Sequence, residues 1–341
     1  MRRLLVGVLI VAVIALIGYG IGSYVLFDTI SAVAAHCGER SKGEPRFQEN
    51  TPAGWTLAND ADVDALWPMS SRTVDIAPYV MPDFQEVAVP SRDPAIGPLS
   101  AWWVPGRAAA SPAVVVVHGG GSCKRDHVVL LHAGMLHRAG FGVLLIDLRD
   151  MGDSAHQDGR FAAGTQEYLD VLGGRDWLVE TKGVPAPKVG LMGNSFGAAP
   201  VIIAAGMDAT VAATWEDSGI GDVNVFIREE IAFRELPDAV NLLVPGGLLI
   251  GMMVGFDPLS ISPLDMAAAI GTRPFAIVHG EIDQHALVHH GTDLAAVVAR
   301  SVPGYQPWLV PCAHHVEAAF CATAEYETRL VDFFTGALGA P

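Results

Sequence analysis

Gly193-Asn194-Ser195-Phe196-Gly197 lies between a run that reads as a strand (residues 188–192) and one that reads as a helix (residues 198–207). Gly-x-Ser-x-Gly in a strand–turn–helix setting is the pattern of a nucleophile elbow. The turn is so tight that bulky side chains at 193 and 197 would collide across it, and glycine removes the clash. The Ser195 hydroxyl is then expected at the carboxyl end of the sheet. Glycine and serine are common, so the reading depends on partners further along the chain.

A serine hydroxyl becomes a useful nucleophile when a base takes its proton and a third group orients that base. Residues 275–278 read as a buried strand running into His279-Gly280-Glu281-Ile282-Asp283, which sets Asp283 on the following loop. Residues 308–310 read as the last strand, followed by Pro311-Cys312-Ala313-His314-His315. The order serine, acid, histidine predicts a Ser195, Asp283, His315 triad. Its members fall on loops at the carboxyl ends of parallel strands, where such sheets place their ligands. His314 competes with His315 as the base, and Glu281 and Asp217 compete with Asp283. The other reading of Asp217, which follows the strand-like run 210–215, is a turn residue capping a helix that begins near Asp222.

Negative charge developing on a substrate carbonyl needs backbone N–H groups aimed at it. One is expected from Phe196, just after the nucleophile. The other is expected from Gly120, in His118-Gly119-Gly120-Gly121 after the strand at 114–117.

These motifs, with Asp147-Leu148-Arg149-Asp150-Met151-Gly152-Asp153-Ser154 and His315-Val316-Glu317, resemble the α/β-hydrolase superfamily. Within it the chain is similar to bacterial membrane-anchored, serine-esterase-like hydrolases. The resemblance runs from about Gln85 to the end. It implies an α/β fold with a mostly parallel central sheet, helices on both faces and a helical cap, preceded by one N-terminal transmembrane helix. It implies His315 rather than His314, since the family histidine directly precedes a Val-Glu-Ala-like run. Asp150 and Met151 stand where the family usually carries Gly-His, on a loop that borders the site and bears on substrate shape. The implied activity is cleavage of a carboxylic ester through an acyl-enzyme, with no cofactor and no metal. A thioesterase, amidase or peptidase would use the same residues. The competing class is a catalytically silent, membrane-tethered binding module, since fold alone does not imply function.

Arg2 and Arg3 precede an uncharged apolar run at 4–27. At about 1.5 Å per residue, a helix of that length exceeds the ~30 Å hydrocarbon core. A secretory signal has an apolar region of only about 7–15 residues, so residues 1–27 are expected to be an uncleaved signal anchor. Ala32-Val33-Ala34 offers the alternative of cleavage. Positive charge at the amino end predicts a cytoplasmic N-terminus and an extracytoplasmic catalytic domain.

Residues 28–84, punctuated by Pro45, Pro52, Pro68, Pro78 and Pro82, read as a stalk and an extension, with Trp55 and Trp67 suggesting anchorage. Residues 85–341, roughly 257 in number, suffice for one hydrolase domain. Strands are expected at 85–90, 99–104 and 143–148 and a helix at 166–181, and this alternation argues for helices on both sheet faces. Residues 218–266 exceed a simple crossover and read as a cap, with a helix-like stretch at 222–234 and an apolar one at 240–256. Apolar cap surface facing Ser195 would favour an acyl chain or a lipid-like ester.

A formal net charge of −16 argues against nucleic acid. The four cysteines (Cys37, Cys123, Cys312, Cys321) allow three pairings. A Cys312–Cys321 bridge would brace the His315 loop; buried free thiols are the alternative. His285 and His289 are spaced to share a helix face, with no third metal ligand nearby in sequence. An exposed helix after Asp283 is the simpler reading.

Overall fold

The computed structural model describes residues 2–33, 37, 49–56 and 74–341. Trp67, Pro45, Pro68 and Ala34 of the 32–34 cleavage alternative lie outside the described residues. The elements are α1 (Arg2–Ser31), β1 (Gln85–Val89), β2 (Leu99–Val104), β3 (Ala113–Val117), α2 (His127–Ala139), β4 (Gly142–Ile146), α3 (Tyr168–Glu180), β5 (Val189–Asn194), α4 (Ala198–Met207) and β6 (Ala213–Asp217). They continue with α5 (Val223–Phe233), α6 (Val244–Met253), α7 (Pro263–Ile270), β7 (Phe275–Gly280), α8 (His289–Val298), β8 (Trp308–Val310), α9 (Ala318–Cys321) and α10 (Thr323–Leu338).

Among the described residues the strands form one eight-stranded sheet in the order β1-β2-β4-β3-β5-β6-β7-β8. The β1–β2 and β2–β4 pairs are antiparallel, and from β4 through β3, β5, β6 and β7 to β8 each pair of neighbours is parallel. β3 (AVVVV) and β4 (GVLLI) are buried throughout, as parallel strands covered on both faces must be. Val114 and Val116 face one cluster with Leu131, Tyr326, Leu330 and Phe334. Val115 and Val117 face the other, with Leu172, Ile202 and Leu294. This is an α/β-hydrolase fold: α2 and α10 cover one face, and α3, α4 and α8 the other.

The parallel order brings the carboxyl ends of β3, β5, β7 and β8 together. At the end of β5 the chain turns through Ser195 with φ of 52°, a left-handed conformation that strains a non-glycine residue. A side chain at 193 would overlap the Gly197 carbonyl oxygen, and one at 197 the His118 carbonyl oxygen. The elbow glycines thus permit the turn and also seat it against the loop after β3. His118, buried there, donates from Nδ1 to the Gly119 carbonyl at 2.8 Å and accepts at Nε2 from the Leu148 amide at 3.2 Å. Burial holds its pKa below the usual histidine value.

α1 runs four residues beyond the apolar stretch that announces it. Within its last turns Thr29 and Ser31 donate to the carbonyls of Val25 and Phe27, at 2.8 and 2.7 Å. Of the extension, Trp55, Tyr79 and Met81 are buried in the body. Disulfides join Cys37 to Cys123 and Cys312 to Cys321. One ties the chain after α1 to the loop after β3, and the other brackets His315.

All four cysteines are paired, so alkylation of the unfolded, unreduced chain is expected to add no mass, and reduction first to add four groups; uptake without reductant would refute the pairing. Gly197→Ala is expected to push back the His118 carbonyl and cost about 1–3 kcal/mol in denaturant unfolding, the usual range for overpacking.

Candidate active site

Ser195, Asp283 and His315 come from three loops and meet in one line. The Ser195 Oγ lies 2.7 Å from Nε2 of His315, and Nδ1 of His315 lies 2.8 Å from Oδ2 of Asp283. All three are buried. Oδ1 of Asp283 accepts from the amides of His285 (2.9 Å) and Ala286 (3.0 Å), which fixes the carboxylate. Burial pushes the Asp283 carboxyl up, but the His315 imidazole outweighs it and holds the pKa below the usual range. For His315, burial opposes the charge, but Asp283, helped by Asp217 and Glu230, holds its pKa above the usual range.

The loop after β3 lies over the elbow. A Cβ at Gly120 would sit 2.6 Å from the Phe196 ring, so the Gly120 backbone and the start of α4 flank the serine. Just beyond, buried Lys124 anchors the loop: its amide donates to Asp147 at 2.7 Å, and its ammonium pairs with Asp147 and with Asp153 at 2.8 Å.

The rivals are placed elsewhere. Glu281 is exposed. His314 contributes its amide, which donates to Glu317 at 3.1 Å. Asp217 caps no helix; Asp222 does that for α5, accepting from the Val225 amide at 3.1 Å. Instead Asp217 ends β6 fully buried, accepting from the Tyr326 hydroxyl at 2.7 Å and from Ser218 Oγ at 2.9 Å. Burial pushes its pKa up to about 6. Ser218 Oγ in turn accepts from the Val316 amide at 3.1 Å, which steadies the loop beside His315. Tyr326 is 109 residues from Asp217, and no local pattern announces the pair.

His285 and His289 do not share a helix face, because α8 begins only at His289. His285 lies in the preceding turn, where Nε2 meets Glu230 Oε2 at 2.9 Å and its ring stands 4.8 Å from that of His315. His289 and His290 meet opposite oxygens of Glu229, at 2.6 and 2.9 Å. These three donor atoms lie within 4.8 Å of one another, and the contacts as they stand are those of one carboxylate with two imidazoles. Glu230, on a helix-like stretch without a motif, is a site neighbour that the sequence does not signal.

The triad opens into a cavity of about 880 Å³. Met151, Phe161, Phe196, Phe226, Phe233 and Phe256 supply much of an apolar lining. The Phe161, Phe196 and Phe226 rings stack edge to face, with centroids 5.2 and 5.1 Å apart. α5 and α6 of the 218–266 segment form walls, whereas α7 packs on α4 and α8 in the body. Met151, which departs from the family pattern, lines the cavity.

A search of curated proteins finds no match. Solved structures are similar in fold. An esterase from Pyrococcus furiosus shares 21% identity over 75% of this chain and 93% of its own, with a TM-score of 0.60. An α/β-hydrolase from Penicillium sp. shares 18% over 75% of this chain and 99% of its own, with a TM-score of 0.59. A puromycin-hydrolyzing peptidase from Mycobacterium tuberculosis shares 19% over 79% of this chain but 41% of its own, with a TM-score of 0.62. A family profile described as the prolyl oligopeptidase family matches residues 129–341. That stretch is well over half of the chain and holds the elbow, Asp283 and His315: the chain belongs to the prolyl oligopeptidase family of α/β-hydrolases.

Proposed function

We propose that the chain is a serine hydrolase that cleaves a carboxylic ester with an apolar acyl group. The supporting observation is the hydrogen-bonded line from Ser195 through His315 to Asp283, ending in a cavity walled by aromatic and aliphatic side chains.

In this reading Nε2 of His315 takes the Ser195 proton as Oγ attacks the substrate carbonyl carbon. The resulting oxyanion accepts from the amides of Gly120 and Phe196. Asp283, ionised, holds the imidazole in its tautomer and offsets the charge it gains. The imidazolium then protonates the departing alkoxide, leaving an acyl-enzyme that water cleaves by the same steps in reverse roles. Glu230 and Asp217 add negative potential around His315 and act as positioning residues. The Phe-lined cavity takes the acyl group, since apolar walls with few convergent polar groups suit an aliphatic chain. An amide is the second reading: the family is described by an oligopeptidase, and one structural neighbour is described as a peptidase.

Leu4–Ser31 is one helix long and apolar enough to cross a membrane. The charge at Arg2 and Arg3 supports a cytoplasmic N-terminus and a catalytic domain on the far side. Two disulfides suit an oxidising compartment.

Full-length protein should react at Ser195 with a fluorophosphonate, and Ser195→Ala should lose both labelling and about 10⁴–10⁶-fold of ester turnover. A folded wild type that fails to label would refute the reading. A panel of p-nitrophenyl esters, acyl thioesters and p-nitroanilides of matched acyl length should rank the ester first; a preferred anilide would turn the assignment to the amide. Because His315 must be neutral to act as base, kcat/KM should fall on acidification with an apparent pKa above the ordinary histidine value of about 6.5. Glu230→Gln removes a carboxylate that favours the imidazolium, so the acidic limb should move to lower pH. An unmoved or oppositely moved limb would remove Glu230 from this role.

A further inference from the structure

The cavity has a wall that no hydrolase motif predicts. Phe27, Thr29, Ile30 and Ser31, the end of α1, line the same space as Ser195 and His315. This end of the helix is firmly seated. Leu26 is buried, with Ile30 beside it, in a cluster with Ile220, Phe226, Ile227 and Val244. Phe27 meets Phe256 edge to face at 5.4 Å. α6 lies along α1 so closely that a side chain at Gly246 would overlap the Ser23 hydroxyl. Asp28 pairs with Arg160 at 2.7 Å, the Phe161 amide donates to the Ser31 carbonyl at 2.9 Å, and the Val33 amide donates to Gly159 at 3.0 Å.

Residues 4–21 of the same helix are exposed on every side. At about 1.5 Å per residue they measure about 27 Å, close to the ~30 Å of a hydrocarbon core. A bilayer filled by these residues ends within a turn or two of Leu26, so the cavity wall begins where the lipid headgroups are. Beside it the cap presents unpartnered apolar side chains: Leu242 is 72% exposed, Leu249 58% and Met253 78%. These belong to α6 and the turn before it, the element packed along α1. They extend the apolar surface of the membrane-crossing helix onto the cap. The chain's net charge of −16 favours a neutral, zwitterionic lipid surface over an anionic one.

We propose that the last turns of α1 are part of the substrate site, and that α1 and α6 together set the cavity mouth on the bilayer. The substrate is then a long-chain acyl ester dissolved in the membrane, which reaches Ser195 from the leaflet without passing through water. This rests on the ester-hydrolase reading and on α1 as the membrane span.

The test uses the full-length chain in phosphatidylcholine vesicles with two methylumbelliferyl esters, the membrane-dissolved oleate and the water-soluble butyrate. Oleate turnover should follow its mole fraction in the bilayer at fixed bulk concentration. Ile30→Trp, which fills the wall, and the paired change Leu249→Glu with Met253→Glu, which charges the cap surface, should each lower the oleate-to-butyrate ratio at least tenfold. Fluorophosphonate labelling of each variant checks that it is folded. A ratio unchanged in both labelled variants, or oleate turnover set by bulk concentration, would overturn the proposal. Wild type that neither labels nor cleaves butyrate would instead refute the hydrolase reading on which it stands.

Discussion

The contact on which the site depends is the one between Gly197 and the carbonyl oxygen of His118. It forces the turn after β5 against the loop after β3, and only a residue without a Cβ permits it. The elbow and the loop over it follow from that crossing. Ser195 is held at positive φ, which costs of order 1–3 kcal/mol and persists because the surrounding strands over-determine it. Gly120 is brought against the Phe196 ring, where a Cβ would collide with it. His118 then ties the end of β3 to the chain after β4 through Nε2, while its Nδ1 bonds the Gly119 carbonyl of its own loop.

Charge is distributed around this crossing with the same economy. Asp283 is the carboxylate that His315 touches, yet Asp217 is buried close by and accepts from Tyr326 and Ser218. Burial pushes its pKa up to about 6. Glu167 plays a comparable part in the loop that meets α1. Burial raises its pKa to about 7, and its two oxygens accept from the amides of Ala162 and Gly164, at 2.8 and 2.9 Å. These acids hold loops by accepting from backbone amides or neighbouring hydroxyls.

The sheet was legible because its strands read as short, largely apolar runs: 308–310 and 99–104 match β8 and β2 to the residue. The elbow was legible because sterics demand glycine at fixed offsets from Ser195. Asp283 and His315 could be named because each lies just past a strand, where topology sends ligand-binding loops. What remained hidden depends on contacts across long separations. The Asp217–Tyr326 bond, the Glu230–His285 pair and the docking of α1 join residues that share no period and no motif. His285 shows the opposite failure: its spacing to His289 suggests a helix face, but Asp283 accepts from its amide and from that of Ala286, holding a turn where the helix would have begun. The sequence left the cysteines open between a Cys312–Cys321 bridge around His315 and free thiols, and the fold closes the bridge across a sequence separation of nine.

The seating of α1 also has a consequence for how the chain is made. α1 is synthesised before the elements it packs against, and its own backbone bonds close as soon as it emerges. Its partners come much later: Arg160 follows Asp28 by 132 residues, and Phe256, against which Phe27 rests, later still. Throughout that interval Leu26, Phe27 and Ile30 have no protein surface to cover them. Long-range closure of this kind is slow relative to local folding. A lipid phase that receives the helix early would shelter these side chains until the cap exists, making α1 an early-formed element that is among the last to be locked in place.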